Sequence, residues 1–102
     1  MKLFNKTVTI SRKDRAANGD PVLVSLGSFA GHIEYNRKNT FDLRGQQITT
    51  TAIVYVEQKA GLSPASEYQV IVDGLEMTSQ VVMFMEDPRG ANNNNHWQLE
   101  CR

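Results

Sequence analysis

Few side chains in this sequence have the type and spacing that chemistry needs. The soft metal ligands are His32, His96 and Cys101. They show neither Cys-x-x-Cys nor His-x-x-x-His spacing. His96 and Cys101 are of opposite parity, so on one strand they would face opposite sides. No metal or other cofactor is therefore expected. Ser25 or Ser28, His32, and Asp42 or Asp73 could be drawn into a catalytic triad on paper. No serine, however, lies in the Gly-x-Ser-x-Gly turn that marks a nucleophile. The carboxylates Glu57, Glu67, Asp73, Glu76, Glu86 and Asp87 fall near strand ends or outward positions, where solvated charge is the ordinary state. Gly27 and Gly31 lie within or beside a strand, not in a glycine-rich loop that opens a helix onto a phosphate. Gly31 instead suggests a close neighbouring strand or a barrel corner. The expectation is a protein that is not an enzyme.

The elements that would position these residues read as strands. Apolar residues recur at period two along most of the chain. Phe4, Val8 and Ile10 form one set. Phe29, Gly31, Ile33 and Tyr35 form a second, and Ile48, Ala52, Val54 and Val56 a third. Tyr68, Val70 and Val72 share a face. Leu75, Met77, Val81, Met83 and Met85 are assigned to one core face, where methionine fills irregular gaps. Trp97, Leu99 and Cys101 close the chain, opposed by His96, Gln98 and Glu100. Asn18-Gly19-Asp20-Pro21 reads as a turn and Asp73-Gly74 as a two-residue hairpin. Gly61 to Pro64 and Asp87 to Asn95 read as loops. Asn36 to Gln46 is polar, with Phe41 and Leu43 isolated inside it, and reads as a long loop or a short helical turn. The fold class is all-β: an antiparallel barrel or sandwich of about six strands with one long polar loop.

Length and composition agree. At 102 residues the chain is one domain, 1–102. Eleven basic and eleven acidic residues cancel. A neutral chain has no general pull toward nucleic acid or an anionic membrane, and little self-repulsion to oppose assembly. No apolar run is long enough to span a bilayer, and the first six residues lack a signal peptide's apolar stretch. A protein made in the cytoplasm, with a reduced thiol at Cys101, is expected.

Small barrels also bind single-stranded nucleic acid through basic residues and exposed rings. Here the basic clusters are Arg12, Lys13, Arg15 and then Arg37, Lys38, Arg44. Phe29, Tyr35, Tyr68 and Trp97 alternate toward the core face, which leaves Tyr55 as the one outward aromatic. Tyr55, Arg37 and Lys38 would carry that alternative.

The layout also resembles a known family. An opening Val-Thr-Ile strand and Gly19-Asp20 precede Gly-His-Ile-Glu-Tyr (Gly31 to Tyr35). A polar loop leads to Ile-Val-Tyr-Val (Ile53 to Val56). Val-Ile-Val-Asp-Gly (Val70 to Gly74), a break at Glu-Asp-Pro and a final His-Trp-Gln-Leu-Glu (His96 to Glu100) follow. The order resembles the head-tail joining proteins of long-tailed bacteriophages, also called head-completion or stopper proteins. The resemblance spans nearly the whole chain as a layout of strands and turns, and minor tail or connector proteins share it. It implies a virion structural protein, assembled in the host cytoplasm as a homo-oligomeric ring. The ring would sit between portal or adaptor and tail proteins and enclose DNA without reading its sequence. The family's extended loop maps onto Asn36 to Gln46. By position alone, Asn36, Arg37, Lys38, Phe41 and Arg44 become the expected subunit or partner contacts.

Overall fold

Six strands account for most of the chain: β1 Lys6–Arg15, β2 Pro21–Phe41, β3 Gln47–Glu57, β4 Tyr68–Val72, β5 Leu75–Met85 and β6 His96–Cys101. The computed structural model describes residues 5–41, 44–86 and 95–102. Phe4, Asp42, Leu43 and residues 87–94, which the sequence reads as part of a loop, lie outside the described residues. Every pairing is antiparallel, and the order β1-β2-β3-β6-β5-β4 returns to β1 as a closed barrel. Closure pairs most edges that an open sheet would leave bare.

Alternation builds the core as expected. Val8, Ile10, Val54, Val56, Val70, Val72, Leu99 and Cys101 are completely buried. Each aliphatic side chain among them contributes about 1.5–3 kcal/mol of transfer free energy. Tyr68 is buried with them, and its hydroxyl oxygen accepts the Ser63 N–H at 2.7 Å. Ser79 is also buried and accepts the Tyr68 N–H at 2.8 Å. The Asp73-Gly74 turn has φ of 53° and 80°, the paired positive values of a type I′ hairpin.

β2 is the organising element. Its first half pairs with β1 and its second half with β3. Gly31 alone belongs to both registers, opposite Lys6 on one side and Val56 on the other. A Cβ at Gly31 would lie 2.5 Å from Val8 Cγ2 and closer still to the Tyr55 carbonyl oxygen. The close approach expected of this glycine is therefore what the structure contains. A straight strand of 21 residues would run about 66 Å. The longest dimension of the molecule is 45 Å, so β2 must bend. Two bulges bend it. One puts Leu26 out of register beside Gly27, whose φ is 114°. The other sets Asn36 and Arg37 against the single residue Thr51.

Three expectations need correction. Asn36 to Gln46 is neither a loop nor a helical turn over most of its length. β2 continues through Phe41 and pairs Lys38 with Thr50, Asn39 with Thr49, Thr40 with Ile48 and Phe41 with Gln47. The partner segment, Ile48 to Thr51, is wholly β-branched and favours this ladder. Tyr35 is not in the core: it is 66% exposed, at the point where β2 leaves the barrel wall. The methionines do not share a core face. Gln80 is an extra residue between the Ser79–Cys101 and Val81–Glu100 pairs, so β5 changes parity there. Met77 before the bulge is buried, whereas Met85 after it is 37% exposed and Val82 takes the inward position.

Gly31→Ala tests the shared seam. The methyl group would meet backbone on one side and a packed valine on the other, so neither neighbour can yield cheaply. Urea unfolding should show a loss of about 1–3 kcal/mol or more. An unchanged midpoint would mean that β1 and β3 do not close on β2 as described.

Candidate functional site

The features that could carry function are surfaces, and β2 generates two of them. Its ends extend into two hairpins at opposite ends of the same strand. The first joins β1 to β2 through Ala16–Asp20. Here the Gly19 N–H donates to the Ala16 carbonyl and the Ala16 N–H to the Asp20 carbonyl, each at 2.9 Å, and Asn18 Oδ1 accepts the Asp20 N–H at 3.1 Å. The second joins β2 to β3. Since β6 pairs with β3 only from Ala52 onward, the β2–β3 hairpin runs on beyond the barrel wall as a two-stranded arm.

The sequence-predicted contact residues gather on this arm. Asn36, Arg37 and Lys38 lie on its β2 strand, with Asn36 and Arg37 forming the bulge. Phe41 ends that strand with its ring 62% exposed, and Arg44 follows in the turn, also exposed. Thr49 Oγ1 donates to Asn39 Oδ1 at 3.0 Å across the arm. At its base Thr50 is fully buried, so the arm is anchored before it projects.

The β1–β2 hairpin exposes Val22, Leu23 and Val24 at 38%, 52% and 37%. Sequence reasoning missed this strip. Its signal was the unbroken Pro-Val-Leu-Val run, which has no alternation to announce a strand. Among the described strands none pairs with the far edge of β2 before Gly31. Where that edge begins, Glu57 Oε2 accepts the Ala30 N–H at 2.7 Å in place of a strand carbonyl. A surface cleft of about 530 Å³ lies beside the hairpin, lined by residues of β1 and by Pro21, Ala65, Ser66 and Glu67. Its charges largely pair with one another: Arg12 with Asp14 at 3.3 Å and Lys13 with Glu67 at 3.8 Å. The Arg15 backbone N–H and the Arg12 guanidinium hold the Asp14 carboxyl below the usual carboxylate range.

Tyr55 does face outward from β3, but its ring has company. The His32 ring stacks on it at 6.0 Å, and His96 meets it edge-on at 5.7 Å. The β2–β3–β6 registers bring these rings together; parity reasoning placed all three outward without joining them. Burial raises the Tyr55 hydroxyl above its ordinary value, helped by the neighbouring Glu34 carboxylate. A second surprise lies on the same outer side. Glu100 is only 2% exposed, beside Ile53 at 8%.

Of the residues that could be drawn into a triad, Asp42 lies outside the described residues, and two of the others have different partners. Ser28 Oγ hydrogen-bonds Thr9 Oγ1 at 3.1 Å, and Asp73 pairs with Lys6 at 2.9 Å. Cys101 points into the core. Burial first, and the adjacent Glu100 second, push its thiol up to about 12. Neither the protein-family models nor the curated proteins compared with this chain match it.

Two measurements follow. A thiol held up to about 12 stays protonated in the fold, whereas the unfolded thiol ionises from its ordinary value of 9.0. The folded state therefore binds more protons between these values, and this group's contribution to stability falls as pH rises through them. At neutral pH iodoacetamide should label Cys101 only after denaturant is added; prompt labelling of the native protein would contradict its burial. In contrast, Tyr35→Ser and Phe41→Ser should change unfolding free energy by less than about 0.5 kcal/mol, since neither ring supports the core. A large loss in thermal or urea unfolding would place those rings in packing.

Proposed function

We propose that this chain is a virion structural protein of a long-tailed bacteriophage or prophage, positioned at the head-tail junction. Copies form a ring that closes the DNA-filled head and docks the tail. The observation that carries this reading is the β2–β3 arm. It stands out from a closed barrel at the position where the family resemblance places the extended loop, and it presents Phe41 and Arg44 to the surroundings.

The physical reasoning runs from rigidity to contact. A barrel closed by six ladders is a firm body whose paired edges offer little to unwanted strands. A paired hairpin projecting from it is more rigid than a loop of the same length. It can therefore reach a neighbouring subunit or the channel without a large ordering cost on contact. Arg37, Lys38 and Arg44 give the arm positive charge that phosphates or carboxylates can meet. With formal net charge zero over the whole chain, the body has no general grip on DNA, which suits a ring through which DNA passes. The partners in this reading are further copies of the chain, the portal or adaptor above, and the tail proteins below.

The test is a joining reaction with DNA-filled heads, tails and the purified chain from the source virus. The full chain should restore joined particles. A chain lacking residues 37–44 should retain its circular dichroism and melting temperature but fail to join. Normal joining by that deletion, or no joining by the full chain, would overturn the proposal.

A further inference from the structure

Among the described strands the first half of β2 has a single neighbour. It pairs with β1 from Pro21 onward, and β3 takes up its other edge only at Gly31. Two hydrogen bonds show which backbone groups face that free edge. The Lys13 N–H donates to the Glu67 carbonyl at 2.8 Å, away from β2. The Lys13–Leu23 pair is therefore a wide, non-hydrogen-bonded one, and Leu23 turns its own N–H and C=O to the free edge. Ser25, two residues on and still short of the Leu26 bulge, does the same. The edge is closed at its far end, where the Ala30 N–H goes to the Glu57 carboxylate. At the near end Pro21 has no N–H to offer.

Edge strands are ordinarily blunted by charge. This one is not: residues 21–30 include no charged side chain, and Val22, Leu23 and Val24 are exposed. Val22 and Val24 continue, beyond the barrel, the face on which Leu26 packs against the core. Unpaired backbone groups flanked by bare apolar side chains suit an added strand. The pattern matches itself. About a two-fold axis at Val24, Leu23 lies opposite Ser25 of a second copy and Ser25 opposite its Leu23, so each outward N–H and C=O finds a partner. Val24 meets Val24 of the second copy, and Val22 meets its Leu26, which joins the two apolar faces. Pro21 falls beyond the last pair, opposite the bulge, where its missing N–H costs nothing. No like charges come to face each other across the two strands. We propose that this edge of β2 pairs antiparallel with the same edge of a second copy, centred on Val24. The contact is isologous and closes as a dimer. It uses the end of β2 remote from the arm, so it goes beyond the junction reading and does not depend on it.

Sedimentation of the full chain at concentrations up to about 1 mM, the range for a small contact, should show a monomer–dimer equilibrium. Val24→Lys and Val24→Glu should each raise the dissociation constant about tenfold, because each sets like charges opposite one another. An equimolar mixture of the two should associate again, since only a residue that faces itself is rescued in this way. Circular dichroism checks that each variant keeps the fold, which is expected of an exposed position. Disulfide trapping tests the register separately. A wide antiparallel pair holds its Cα atoms about 4.5 Å apart, within disulfide reach, so mild oxidation should link Val24→Cys to itself. Leu23→Cys should link on the order of tenfold less, because its two copies lie on the diagonal about 7–8 Å apart. Native Cys101 is buried and does not compete. A chain that stays monomeric throughout, equal linking of the two cysteine variants, or no rescue in the mixture overturns the proposal. Capture of an extended foreign peptide on this edge by a chain that stays monomeric assigns the edge to another protein and overturns it equally.

Discussion

The closed sheet depends on one close approach, the passage of β1 and β3 on either side of the β2 backbone at Gly31. A strand in a sheet normally keeps the same two neighbours along its length. β2 does not: it leaves β1 as it takes up β3, and both neighbours reach it at a residue with no side chain. Without Cβ the Tyr55 carbonyl and Val8 can come within contact of the backbone. A larger residue would push one neighbour away and open the ring at its longest strand. Val8 and Val56, both completely buried, pack around this point, so the seam is also part of the core.

Bulges give the remaining strands their shape by changing which side chains face inward. The extra residue at Gln80 lets β5 present Met77 and Ser79 to the core and then Val82, while it follows both β4 and β6. The Leu26–Gly27 bulge turns β2 so that Leu26 and Phe29 pack against the core margin. The bulge opposite Thr51 marks where β2 stops being barrel wall and becomes arm. Each follows from the same geometry: one inserted residue increases the local twist and reverses the faces beyond it.

The legible parts of the sequence were those with a local physical cause. Asp73-Gly74 announced its turn because few residue pairs accept positive φ twice in succession. The strands with one buried face announced themselves by alternation. The arm gave no such signal, because its residues lack an apolar alternation to mark a strand, so the polar stretch read as loop. Tyr35 and the later methionines were misplaced because parity was carried past a bulge or past the edge of the barrel. Tyr55, His32 and His96 were each placed correctly as outward, but their meeting required the register between three strands. Arg37, Lys38, Phe41 and Arg44 were legible as a cluster, while the rigid support beneath them was not.

The continuity of β2 also has a mechanical meaning. The two projecting hairpins are ends of one unbroken strand, so a pull between their tips is directed along β2. Antiparallel hydrogen bonds lie perpendicular to the strands they join. Such a load therefore runs along the covalent backbone of β2, and the β1 and β3 ladders beside it hold the bent strand in shape without having to carry the pull. The strand acts as a tie rod through the barrel wall.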